Sequence, residues 1–459
     1  MSRNRIEQRL AELHQGRKWV VAIDAAAGAT ELIKTLREWG APDVMLVAST
    51  EGVGDLPEDI PIYYTRSRGP TVMKGFRAFF AALRDPSADL VEALDAFDSD
   101  HEALVILPPF GDLGREVVGR RVYGDRRPEW ASLENKMLVD ELWDSTGVER
   151  APSEIVLVAD APAAATRLAS GLGTVWVADN TEGWHGGGDY TRWVRGPDLH
   201  GEAVDWFAAR ARHVRVMPFL DGIPCSIHAY IASDGIATFR PVEIVILRRK
   251  DERGLVYGGV ASIWDPPSGI RSEMRAAASA VATELQQRVD YRGPFGIDGV
   301  CTADGFRPTE LNPRLSAGLG IQALKAELPL GTLTRAFLAG EIEVEAARLE
   351  EVIVTGADAN RLGGMGVPVT LQIDPTSTGI RFVGTKAQPV DAEDDPDATM
   401  EVGPSSSGSF IRMRMEADRL DVGRSVAPYA ASSVALAAEL WSFDFPELEP
   451  APDLCQRST

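Results

Sequence analysis

The residues whose types and spacing best suit chemistry lie at positions 293–314, in the run GPFGIDGVCTADGFRPTELNPR. Two apolar stretches, 295–301 and 306–311, flank Thr302-Ala303-Asp304-Gly305, where the glycine suits the left-handed residue of a three-residue hairpin loop. Pairing Thr302 with Phe306 then sets Asp298 opposite Glu310. Opposed side chains of an antiparallel pair share a face with Cβ atoms about 5 Å apart, so two carboxylates there repel and a cation relieves them. Asn312, two residues past Glu310, returns to the same face and adds an amide carbonyl. Three hard oxygen donors and no soft one point to Mg2+, which keeps several waters and usually completes its shell with substrate phosphates. Arg314 takes the next same-face position if the strand continues past Pro313, and a guanidinium there clamps a phosphate oxygen. A lone acid pair is more often a solvated hairpin face, but the register, the apolar setting and the Glu-x-Asn-Pro-Arg run together favour a metal and nucleotide site.

A second candidate is the loop Gly183-Trp184-His185-Gly186-Gly187-Gly188, which joins two strand-like runs. Backbone amides freed of side chains, as at Gly186, Gly187 and Gly188, can close over phosphates. A plain turn shares that composition; the metal motif downstream favours the phosphate flap, with His185 as a flap side chain rather than a general base. Residues 25–30 hold one glycine where a dinucleotide loop wants three, so they make no fingerprint. No Ser/His/Asp or Cys/His constellation is legible. Cys225, Cys301 and Cys455 are far apart in sequence and lack a CxxC, which predicts reduced thiols rather than bridges or zinc ligands.

The run TELNPR after GIDGV resembles the metal-binding segment of the ATP-grasp superfamily, whose members join a carboxylate to an amine or another nucleophile through an acyl phosphate. The resemblance implies ATP and Mg2+ as cofactors, one or two Mg2+ on Asp298, Glu310 and Asn312, and Arg314 facing the phosphates. It implies that Lys136, ahead of a glycine turn at Gly147, reaches the phosphates as well. The hinge strand that reads adenine would be Met217, Pro218, Phe219 and Leu220, through the Pro218 carbonyl and the Leu220 amide. Two departures stand out. Ala178 occupies the flap-strand position that usually holds a lysine, with Arg240, Arg248 and Arg249 as candidate substitutes, and Met217 stands where an acid is common. Either Glu243 or Arg248 reaches a pocket on this resemblance, although their odd spacing puts them on opposite faces unless a bulge intervenes. The order of parts is similar to actinobacterial peptide ligases of the pheganomycin type, which implies an amino-acid-like carboxylate donor and an amino acid or peptide amine as acceptor. Rival readings are a non-catalytic ATP-binding regulator and an ATP-grasp phosphotransferase.

These residues need elements to position them. Alternating apolar and helical runs over residues 1–127 predict a small open parallel sheet, a Rossmann-like α/β domain. Residues 128–343 carry the nucleotide and metal parts: Ser132 caps a helix that contains Lys136 and ends at Gly147, and the Ala-rich stretch 272–290 is a core helix. Residues 344–459 form a C-terminal α+β domain with an acidic loop at 392–398. Its helix at 427–441 is a candidate contact for a homodimer. Together with the resemblance, this implies an α/β fold class, an ATP-grasp fold with a preceding and a trailing domain. A net charge of −21 argues against nucleic acid as a partner, and no apolar run reaches the roughly 18 residues of a membrane helix. The polar, helix-prone start lacks the apolar centre of a signal peptide, which places the expected protein in the cytoplasm.

Overall fold

The structure, a computed structural model, describes residues 3–111, 113–181, 185–250, 254–391 and 395–456. Gly183 and Trp184 of the glycine loop, and residues 392–394 of the acidic loop, lie outside the described residues.

The N-terminal strands Trp19–Ala22, Val44–Ala48, Ile62–Tyr64 and Leu104–Ile106 form one parallel sheet in the order third, second, first, fourth. Parallel strands are covered on both faces and so read as unbroken apolar runs, as WVVA and VMLVA do. Alternation sends Trp19, Val21 and Leu46 to the face covered by helices Arg3–His14 and Thr30–Glu38. Val20, Ala22 and Met45 go to the face covered by Val72–Arg84 and Ala88–Phe97.

A four-stranded antiparallel sheet follows, in the order Glu154–Leu157, His213–Pro218, Thr174–Ala178, Thr191–Val194. Its last two strands pair directly, so the glycine loop joins a hairpin. The largest sheet holds Gly305–Asn312 at one edge, then Gly293–Thr302, Ile223–Ile231, Val242–Arg249 and Leu255–Ala261. Helix Ser268–Val289 covers it: small residues Ala277, Ala278 and Ala282 let its backbone approach closely, and Val281 and Leu285 pack with Ile227, Phe295 and Ile297. The same sheet continues into the last third of the chain, because Leu255–Ala261 pairs with Leu362–Val369. Leu448–Pro450 returns to pair with Val242–Arg249, so the tail is stitched to the central strands. Helix Ala427–Leu440 spends Ala427, Ala430, Val434 and Ala437 on the core of this C-terminal part. The three thiols, distant in sequence, are free and buried in one apolar cluster.

Candidate active site

Asp298 and Glu310 do face each other, by a route different from the one expected. Thr302 pairs with Gly305, so the loop has two residues rather than three, which by itself would displace the acids by one position. A β-bulge between Asp298 and Gly299 makes up the difference: Gly299 opposes Pro308, Thr309 is the extra residue, and Asp298 opposes Glu310. The bulge needs Gly299, since a Cβ there would lie 2.4 Å from the Arg307 carbonyl and 2.6 Å from the Phe306 ring. It also reverses the alternation, so Phe306 and Leu311 enter the helix-covered core while Glu310 and Asn312 share the opposite face. Arg215 Nη1 donates to the freed Thr309 carbonyl at 3.1 Å, and its Nη2 donates to Asp140 Oδ1 at 2.6 Å.

Around the pair runs one polar network. Asn312 Nδ2 donates to Asp298 Oδ2 at 2.9 Å, and Arg314 Nη2 donates to Asn312 Oδ1 at 2.9 Å. Arg314 Nε donates to Glu134 Oε1 at 3.1 Å, and Arg126 donates to the same carboxylate. Lys136 Nζ lies 2.5 Å from Glu310 Oε2. Burial, and then the charge of Glu310, push the Asp298 carboxyl up to about 6; Ser226, Arg314 and Lys136 oppose the shift. Three positions differ from expectation. Lys136 is not within a helix: Asn135 Oδ1 accepts the Met137 amide at 3.1 Å, an Asx turn that separates Pro128–Ser132 from Val139–Thr146 and lets the lysine project from the bend. Ser132 caps nothing, since its hydroxyl donates to the Glu129 carbonyl, whereas Gly147, at φ +67, ends the second helix as expected. Arg314 lies past the end of the strand, where its amide donates to the Asn312 carbonyl at 2.8 Å around Pro313 and turns the guanidinium back toward Asn312.

The donor set suits a hard divalent cation. Among the described residues no group of three or more His, Cys, Asp and Glu is arranged for a metal; the third oxygen here is an amide, from the 5% exposed Asn312. Lys136 and Arg314 now supply the positive charge that the opposed acids require, and a cation between the acids would relieve the same repulsion.

The described end of the glycine loop reaches this network through His185. His185 is buried, its Nε2 donates to the Ala178 carbonyl at 3.1 Å, and it senses the charges of Lys136 and Glu310. Burial, then Lys136, lower its pKa to about 4, so it is neutral near pH 7. Gly186 is buried, Gly187 and Gly188 are exposed at positive φ, and beyond them Asp189 Oδ2 accepts from Thr71 Oγ1 at 3.2 Å. Met217 and Pro218 pair with Val175 and Thr174, and the Phe219 amide is taken by the Gly173 carbonyl. Arg248 is held near the hinge by Asp221 at 2.7 Å and lies 5.0 Å over the Phe219 ring. It is therefore not gathered with Lys136 and Arg314, and neither is Arg240, which pairs with Asp265 and Asp358. Glu243 is separated from Arg248 by a bulge in Val242–Arg249 and is buried, accepting from Ser425 Oγ and the Val426 amide at the start of the C-terminal helix. Sequence reasoning missed Glu134, Arg126 and Arg215. Glu134, two residues before Lys136, was the available signal; the arginines carried none, because only tertiary packing brings them in.

No family model matches this sequence, and no curated protein matches it. Solved structures do match. Pyruvate carboxylase from Rhizobium etli, a T882A variant with acetyl coenzyme A, aligns with a TM-score of 0.57 and 14% identity over 95% of this chain. This chain spans only 38% of that one. Biotin carboxylase from Campylobacter jejuni, complexed with βγ-ATP, gives a TM-score of 0.56 at 12% identity, covering 94% of this chain and 91% of the other. L-amino acid ligase from Bacillus licheniformis gives 0.53 at 12% identity, covering 95% and 99%. At such identities the likeness is one of fold, and the chain adopts the ATP-grasp fold. Among the described residues, no helix is long and apolar enough to cross a membrane.

Proposed function

We propose that this protein is an ATP-dependent ligase that forms an amide bond between a carboxylate donor and an amine acceptor, releasing ADP and phosphate. The observation that carries the reading is the opposed pair Asp298 and Glu310, with Asn312 beside it and Lys136 and Arg314 in contact, on an ATP-grasp fold. Asp298, Glu310 and Asn312 would hold Mg2+, which when bound supplies charge stabilisation at the nucleotide phosphates. Lys136 and Arg314 place two further cations at the same point, and the amides of Gly186, Gly187 and Gly188 add uncharged donors from above. The segment 217–220 would seat the adenine, with Arg248 bracing it through Asp221 and Phe219 rather than touching the reacting groups.

The donor carboxylate attacks the γ-phosphoryl group to give an acyl phosphate and ADP, and the amine then displaces phosphate. Such chemistry asks the protein for alignment and charge rather than for a nucleophile or a strong base. The buried His185, packed against Ala178, helps exclude water that would hydrolyse the activated acid. The likeness in fold to an L-amino acid ligase supports an amino acid or short peptide as a substrate.

The test is incubation with Mg-ATP and amino-acid pools, following ADP release and product masses, with hydroxylamine added to trap the acyl phosphate as a hydroxamate. ADP release with a new amide mass, abolished in Asp298→Asn/Glu310→Gln, is the expected result. ATP binding without turnover would instead mark a regulator, and a stable phosphorylated product a phosphotransferase.

A further inference from the structure

Beside the hairpin that carries Asp298 and Glu310 lies a cleft of about 70 Å3. It runs between residues 107–111 and 113–114, the connection 122–126, residues 313–315 and helix Leu330–Leu338. That space holds about five waters. Neither the flap residues 185–188 nor the hinge residues 217–220 line it, so it is not the space expected for a nucleotide. Arg314 belongs to both: it bonds Asn312 beside the acid pair and lines the cleft.

The walls divide by chemistry. Trp130, Tyr291, Tyr123, Leu315 and Leu338 supply aromatic and aliphatic surface. Against them stand Arg126, Arg292, Arg314 and Arg335, with Asp125 the one acid among the described lining residues. Glu134 offsets Arg126 and Arg314 from behind. Arg335 is different, since Nη1 donates to the Gly331 carbonyl at 2.9 Å and Nη2 to the Leu107 carbonyl at 2.6 Å, with no carboxylate in ion-pair contact among the described residues. Burial lowers its pKa to about 10, which still leaves it charged near neutrality. A partly buried guanidinium whose hydrogen bonds go to carbonyl dipoles gains from an anion.

We infer that this cleft binds an organic acid with an apolar, ring-sized body, its carboxylate toward Arg335 and Arg314 and its body against Trp130, Tyr291 and Leu315. On the ligase reading, on which this role rests, that acid is the carboxylate donor, because Arg314 brings the cleft to the edge of the nucleotide site. A phosphate or polyol would match the arginines and waste the aromatic walls; a neutral apolar ligand would do the reverse.

Calorimetric titration of the full-length protein with phenylacetate, phenylacetamide and acetate tests this, with a parallel titration of Mg-ADP. Phenylacetate should bind at least tenfold more tightly than either comparison ligand. Arg335→Met should weaken it at least tenfold, and Leu315→Trp, which fills the cleft without removing a charge, should do likewise. Both variants should keep Mg-ADP affinity within about twofold of wild type. Equal binding of phenylacetate and phenylacetamide, or undiminished binding in Leu315→Trp, would overturn the inference, as would no binding of any acid by a protein that binds Mg-ADP. Acid binding without Mg-ADP binding would uphold the ligand class and sink the ligase reading, so the two failures are distinct.

Discussion

Asp298→Asn should make the metal-free protein more stable while destroying its response to nucleotide. Burial and Glu310 raise the Asp298 carboxyl from 3.8 to about 6 in the folded protein. Between those values the folded state holds a proton that the unfolded chain releases, so stability falls as pH rises through the window. At about 1.36 kcal/mol per pH unit, the whole cost is about 3 kcal/mol and is fully present by pH 7.5. Asparagine removes the charge and keeps an oxygen to accept from Asn312 Nδ2, now 2.9 Å from the carboxylate. In EDTA at pH 7.5 the variant should therefore exceed wild type by up to about 3 kcal/mol, and the gain should shrink toward zero by pH 4. Saturating Mg-ADP at about a hundred times its Kd should add about 2.7 kcal/mol to wild type and far less to the variant. Calorimetric unfolding at pH 4, 6 and 7.5, in EDTA and in Mg-ADP, reads both effects. A variant less stable than wild type in EDTA at pH 7.5, or one that gains as much from Mg-ADP, would refute the idea that the two acids are held together at a cost and gripped by a cation.

Three further outcomes follow from the same contacts. Lys136→Met removes the ammonium 2.5 Å from Glu310, and fluorescence titration should show Mg-ATP affinity reduced at least tenfold, about 1.4 kcal/mol. Glu134→Gln leaves Arg126 and Arg314 side by side without their shared carboxylate; urea unfolding should show a loss of about 3 kcal/mol, as expected when one partner of a buried ionic group is removed. Glu243, pushed up to about 7 by burial against the opposing effect of Ser425 and Val426, destabilises the fold as pH rises from 4.5 through 7. Glu243→Gln should accordingly raise the unfolding midpoint at pH 8 and leave it nearly unchanged at pH 5.

The kinds of group at the site were legible from local spacing, because alternation along a strand and the reach of a turn are properties of a few consecutive residues. That is why Asp298, Glu310 and Asn312 were singled out, and why a parallel sheet was expected over the first 127 residues. The facing of the two acids was anticipated from a register that the chain does not use: a shorter loop and a bulge each move the pairing by one residue and cancel. Nothing local announces that bulge, since it depends on Phe306 and Leu311 finding the helix Ser268–Val289 and on Arg215, ninety-four residues from Thr309, capping the freed carbonyl. Packing likewise took Arg248 to Asp221, gave Glu243 to the C-terminal helix, and brought Arg126 and Glu134 to Arg314. The order of amino acids thus settled which donors exist and on which face of a strand each can point. Which charges neutralise one another was left to the folded chain, because ion pairs form between groups that are near in space, and that nearness is set by the cores rather than by position along the backbone.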